Sequence, residues 1–304
     1  SASAVLVGPR GEILAEYGDG QMCAYIRSAA KPFQIIPALE SGIQSKFGLS
    51  DDEIAVCCSS HSGENIHIVR VQSVLQKTGI DSSLLRCGIH PPLGAEVRRL
   101  MRESGESPKL LHNNCSGKHS AMLATAKIRG ESLEDYLNPA HPAQQRILEV
   151  IKQYSEEEDI HVGVDGCSAP VYYLQLKSIA RMYQKLALAN DDTVAGDIWQ
   201  KMTSNPLMIA GSGRYDSVIM EDGKGTVLSK MGAEGVQCMS FKTPDGPIGL
   251  AVKVHDGSRR AVVPAVLHLL SKFGLTPDGN YDKFRKPELE NHTGIVVGRI
   301  EVNG

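Results

Sequence analysis

The chain has no long apolar run, few aromatic residues and no surplus of either charge. Its longest apolar stretch, residues 260–270, is too short to cross a bilayer and is broken by Pro264 and His268, which excludes a membrane span. Lys and Arg number 32 against 35 Asp and Glu, with no basic block, so no electrostatic footprint for nucleic acid or an anionic membrane is present. Internal repeats and low-complexity tracts are also missing, and with them the repeat and disordered classes. The 7 cysteines are odd in number and form no C-x-x-C pair, so a disulfide framework is not expected. Together with the lack of a signal-like start, this points to a reducing, cytoplasmic compartment. What remains is 304 residues, 41% hydrophobic, enough to bury a large core without cross-links.

The two ends read as sheet and the middle as helix. Residues 4–17 are two β-rich runs around Gly8-Pro9-Arg10-Gly11, a hairpin. Residues 226–230, 236–242 and 248–254 repeat that grammar around a Thr243-Pro-Asp-Gly-Pro247 turn. Between them the apolar spacing predicts helices over 31–40, 65–79, 94–104, 116–128, 142–154, 169–188 and 191–204. Strands at both ends of a helical centre imply an α+β fold in which the terminal strands close one antiparallel sheet and the helices form a lobe on it. Residues 130–142, with two X-Pro steps, are the nearest thing to a joint. No firm boundary follows from them.

Chemistry-bearing residues concentrate in short segments. Ser28 and Lys31 form the only Ser-x-x-Lys pair, at the expected opening of a helix with Pro32 in its first turn. That spacing puts hydroxyl and amine on one face, where an uncharged lysine can take the serine's proton. A serine N-cap followed by a solvated lysine fits the same letters. Residues 53–58 read as a short strand, followed by a small polar loop, Ser59-Ser-His-Ser-Gly-Glu64, in which Ser60 is a second candidate hydroxyl. No Gly-x-Ser-x-Gly elbow occurs, which disfavours an α/β-hydrolase triad around His61. In the third segment Cys115 and His119 stand at i, i+4, and Cys167 could add a thiolate, so these three are the zinc ligands that residue type alone suggests. Inert thiols and a capping loop fit equally well.

Six motifs then occur in order: Arg27-Ser-Ala-Ala-Lys-Pro-Phe-Gln34, Ser59-Ser-His-Ser-Gly-Glu64, Asn113-Asn-Cys-Ser-Gly-Lys-His119, Asp165-Gly-Cys-Ser-Ala-Pro170, Gly211-Ser-Gly-Arg214 and Lys230-Met-Gly-Ala-Glu-Gly235. Jointly they resemble the Rhizobium-type L-asparaginase family over nearly the whole chain. The resemblance implies hydrolysis of L-asparagine to L-aspartate and ammonia on a fold similar to serine β-lactamases, penicillin-binding proteins and glutaminases. It also implies one catalytic unit over 1–304, with sheet from about 1–20 and 225–304 and a helical part from about 28–205. Two Ser-Lys pairs are implied, Ser28 with Lys31 and Ser60 with a later lysine, which is assigned to Lys230 with Lys253 as the other candidate. A zinc ion near the substrate is implied on Cys115, Lys118 and Cys167. The family set displaces His119 from the ligands. A lysine ligand requires a depressed pKa, which an adjacent dication produces.

On this reading Ser28 attacks the side-chain amide, Lys31 takes its proton, and Ser60 with Lys230 relays a proton to the departing ammonia. Backbone N–H groups at Ser28 are the expected oxyanion donors. Arg27, Arg214, Asp165 and His119 are the candidates for holding the substrate's α-carboxylate and α-amine. Zinc would position substrate rather than supply a hydroxide. Glutaminase activity differs by one methylene of substrate, and a β-lactamase-like hydrolase shares Ser28-x-x-Lys31 and Lys230-Met-Gly but would need a Ser-Asp-Asn that is missing. A non-catalytic zinc-binding module is the alternative outside enzymes, against which the intact serines and lysines argue. Family analogy also suggests a homodimer.

Overall fold

The computed structural model describes residues 1–302. The chain opens with β1 (Ala2–Val7) and β2 (Ile13–Tyr17), joined by the predicted Gly/Pro turn, in which Gly11 takes the left-handed conformation at φ 82°. A short β3 (Cys23–Tyr25) leads into a 3₁₀ turn over Arg27–Ala30. The helical part follows: α1 (Lys31–Glu40), α2 (Ile43–Phe47), α3 (Asp51–Cys57), α4 (Asn65–Thr78), α5 (Ala95–Ser104), α6 (Ser116–Ile128) and α7 (Pro142–Ser155). Next come β4 (His161–Val164), β5 (Pro170–Gln175), α8 (Leu176–Leu188), α9 (Val194–Ser204), α10 (Pro206–Ile209) and α11 (Tyr215–Asp222). The chain then returns to the sheet with β6 (Val227–Met231), β7 (Val236–Thr243) and β8 (Gly246–Val254). It finishes with α12 (Arg259–Lys272), α13 (Asp282–Arg285) and a ribbon of β9 (Glu288–Glu290) and β10 (Val296–Arg299).

The fold is α+β. One antiparallel sheet in the order β2-β1-β8-β7-β6 unites the first residues with the last third of the chain, as the alternating pattern at both ends implies. Because side chains alternate along a strand, this sheet divides two cores. Val5, Val7, Leu228, Cys238 and Ala251 face α8 and the helical part, while Ala4, Leu6, Val227, Met239 and Val252 face α11 and α12. Helix α8 lies so close to β8 that a side chain at Gly249 would meet the Ala180 carbonyl at 2.1 Å. Only glycine admits that approach.

Three local expectations are corrected. Residues 53–58 are not a strand but the body of α3 and its C-cap, Cys58: Ser50 caps the helix at its start, and the Glu53 carboxylate accepts the Ser50 N–H at 2.7 Å. That cap, with Asp51 and Asp52 in the first turn, overrides the β-like apolar run. Residues 169–188 split into β5 and α8, because β5 is claimed on either side by β3 and β4 in a second, three-stranded sheet that the sequence did not announce. Ser28 is not near the N-cap of α1 but inside the preceding 3₁₀ turn, with Lys31 as the first α-helical residue.

Candidate active site

The loop after α3 is fixed from both sides. Ser59 Oγ donates to the Val56 carbonyl at 2.6 Å, the Ser60 N–H to Ile209 at 2.9 Å, and Ser62 Oγ to Ala210 at 2.7 Å. His61 accepts the Gly63 N–H on Nδ1 at 3.1 Å, which leaves Nε2 as the donor to Ser116 Oγ at 2.9 Å, so the loop is tied to the start of α6. Burial, then the neighbouring charges of His67, Lys31 and Arg214, keep His61 well below its usual pKa and uncharged. Helix α6 can reach this loop because of Gly117, where a Cβ would lie 2.2 Å from the Val56 carbonyl oxygen.

Within this frame two lysines meet on one hydroxyl. Lys31 Nζ lies 3.1 Å and Lys230 Nζ 2.7 Å from Ser60 Oγ. Lys31 also donates to the carbonyls of Ser59 and Asn114, three acceptors in all, the full complement for an ammonium. Lys230 is fully buried on β6, and burial followed by the like charge of Lys31 pulls its pKa down to about 7. Lys253 is elsewhere: on β8, its Nζ donates to the carbonyls of Glu234 and Val254. Ser28 differs from the expectation of a direct Ser28–Lys31 bond, since Lys31 is directed at Ser60. The 3₁₀ turn leaves Ser28 partly exposed, whereas Ser60 is 1% exposed and both lysines are wholly buried.

The substrate-binding candidates fall in three places. Arg27, at φ 55° in the left-handed region, pairs with Asp165 at 2.9 Å and with Glu234 at 3.0 Å. Two groups expected to hold opposite ends of a zwitterion therefore hold each other. Glu234, inside the sixth motif, is a functional candidate that sequence reasoning missed; its charge beside a glycine is the only signal there. Arg214 sits behind Ser60, donating to the Ser60 carbonyl at 2.7 Å and to Ala210 at 3.2 Å. His119 is buried: its Nδ1 is 2.7 Å from the Tyr136 hydroxyl, its Nε2 has no partner among the described residues, and burial lowers its pKa to about 3.

The sulfur-bearing segments converge as well. The tight turn over 165–168, with Ser168 at φ 68°, presents Cys167 to Lys118, whose Nζ is 3.3 Å from its sulfur. A hydrogen bond from Cys115, then the Lys118 charge, bring Cys167 down to about 5 despite burial, while the same bond pushes Cys115 up to about 12. Burial opposes the Lys118 charge, but the Cys167 and Cys115 sulfurs outweigh it and raise the amine above its ordinary range. The trio brings two sulfurs and an amine nitrogen together, a donor set that suits zinc once the dication displaces the protons they carry, so the residues fit the metal. The set built from Cys115, His119 and Cys167 does not form: among the described residues no three His, Cys, Asp or Glu side chains are grouped to hold a metal ion, and His119 Nδ1 is taken by Tyr136.

With this geometry, the comparison that decides the family is a match of the L-asparaginase II description to residues 1–302. The chain belongs to the L-asparaginase II family. It is an amidohydrolase of the L-asparaginase type. No curated protein matches this asparaginase-family sequence. Solved structures similar to it include a Bacillus glutaminase crystallised in 4.3 M NaCl (14% identity, 90% of this chain and 91% of that one, TM-score 0.42). Another is a Bacteroides dorei protein provisionally classed as a β-lactamase (14% identity, 89% and 93%, TM-score 0.44). No helix among the described residues is long and apolar enough to cross a membrane.

Proposed function

We propose that the protein hydrolyses free L-asparagine to L-aspartate and ammonia through an ester on Ser28. The observation that carries this is the meeting of two buried lysine amines on buried Ser60, with Ser28, partly exposed, three residues before Lys31. A substrate cannot reach a hydroxyl that is 1% exposed between two buried lysines, so Ser60 suits proton relay and Ser28 suits attack. Lys31 takes the Ser28 proton as its own moves through Ser60 Oγ to uncharged Lys230; the Ser28 oxygen bonds to the amide carbon, and the C–N bond then breaks as Lys230 returns the proton by the same path to the leaving ammonia. Water, deprotonated along that path, cleaves the ester. The Ala29 amide is used by the Ile26 carbonyl, which leaves the Ser28 amide as the expected oxyanion donor. The Arg27–Asp165 pair opens on the substrate, carboxylate to Arg27 and ammonium to Asp165.

Cys115, Lys118 and Cys167 would hold zinc, which when bound supplies fixed positive charge beside the substrate. Cys167→Ala should lose the metal that the wild-type protein retains through purification without chelator, read by elemental analysis; a full zinc complement in the variant would remove the site. Residence in a reducing compartment and a homodimeric state complete the reading, the latter tested by sedimentation.

Ser28→Ala should lower ammonia release from L-asparagine by orders of magnitude and leave the melting temperature nearly unchanged. Substantial residual release would eliminate Ser28 as the nucleophile. Running L-glutamine and D-asparagine beside L-asparagine fixes the substrate, because one methylene is worth only about 1–3 kcal/mol of discrimination.

A further inference from the structure

Strand β6 carries the catalytic lysine candidate on one face only. Against the other face lies a separate cavity of about 280 Å³ bordered by Met231, Val262, Val263, Phe284, Arg214 and Arg259, and by neither Ser28, Ser60 nor Lys230. Its polar lining is unusual. The Nη2 groups of Arg214 and, at 3.7 Å, Arg259 are both directed at the sulfur of Met231. A thioether is a weak acceptor with no charge to offer, so two guanidinium groups have been brought together without an anion between them. Arg27 has Asp165 and Glu234; among the described residues neither Arg214 nor Arg259 forms an ion pair. Asp216 also borders the cavity, but its oxygens already accept from Ser229, Gln237 and the Met231 N–H.

We propose that this cavity binds a small carboxylate, whose oxygens take the N–H groups of Arg214 and Arg259 now directed at Met231. Planar guanidinium forks match a carboxylate in both geometry and charge. The valine and phenylalanine walls accommodate a short hydrocarbon body, and they argue against a bare inorganic anion, which would face apolar surface on the side away from the arginines. Arg214 is the link to the reaction: one of its nitrogens holds the Ser60 carbonyl while another faces the cavity. An occupant is therefore felt at the loop that carries Ser60. The site depends on no step of the hydrolysis proposed above.

Titration of the full-length protein with isobutyrate, by calorimetry in a buffer free of other carboxylates, tests the site. We expect one saturable site whose affinity falls about tenfold or more in Arg259→Gln, the loss typical of a charge-assisted hydrogen bond, and falls less in Arg259→Lys. Arg259 is exposed at the start of α12, so the fold and the hydrolytic rate without added isobutyrate should be unaffected by either change. Ser28→Ala should bind isobutyrate as wild type does, which separates a failure of this site from a failure of the proposed nucleophile. The site is disproved by any of four results: no saturable binding at millimolar isobutyrate, affinity indifferent to Arg259→Gln, inorganic phosphate bound as tightly as isobutyrate, or simple competition with L-asparagine.

Discussion

At the scale of single residues, the site turns on a charge that has been made easy to remove. Burial first, then the like charge of Lys31, outweigh the nearby Asp216 carboxylate and bring the Lys230 proton off near pH 7. Activity that needs the uncharged amine should rise with pH through a single ionisation near about 7, and Lys230→Met should abolish both the limb and most of the rate, read as kcat/KM against pH. Stability follows the same group. Below pH about 7 folded and unfolded chains both keep the proton; from there up to the ordinary lysine value of 10.5 only the unfolded chain keeps it, so this group makes stability rise with pH. Lys230→Met should flatten that rise in the melting temperature, and an unchanged slope would assign the ionisation to another group. The residue types of this site were legible from their motifs. So was the nearness of Ser60 to Lys230, which the family resemblance implied; the turn of Lys31 away from Ser28 toward Ser60 was not, because it arises only where three elements pack together.

At the scale of elements, the amphipathic helices and the C-terminal meander could be read because turn chemistry and apolar period agreed. The failures came where they disagreed. The apolar run Ile54–Cys57 in α3 reads as a strand unless its cap is considered, and β5 reads as part of α8 because no glycine or proline marks the junction at Gln175 and Leu176. The close approach of α6 to the end of α3 was invisible in sequence apart from one glycine. Gly117→Ala should force these elements apart, lowering stability by about 1–3 kcal/mol in a denaturant titration, as overpacking does. Activity should fall further than stability alone explains, since Cys115 and Lys118 flank the displaced residue. A fully active and equally stable variant would show that the approach is not tight.

At the scale of the whole molecule, β1 lies between β2 and β8, so a strand formed from the first seven residues waits for residues 246–254 before its sheet can close. Such long-range pairing makes folding slow and indivisible. A fragment ending at residue 205 lacks β6, β7 and β8 and should show no cooperative melting by circular dichroism, although it contains nearly all of the helical part. A cooperative transition in that fragment would mean the helical part is a folding unit of its own.

The hydrogen bond from the Met231 N–H to Asp216, at 3.0 Å on the unpaired side of edge strand β6, has a consequence of its own. A strand displaced by one residue turns every side chain to the opposite face. For β6 that slip would carry the amine of Lys230 away from Ser60 and put a thioether in its place. Asp216 acts as a peg against this misthreading: it fastens the free margin of the strand, and with it decides which of two adjacent side chains stands beside Ser60.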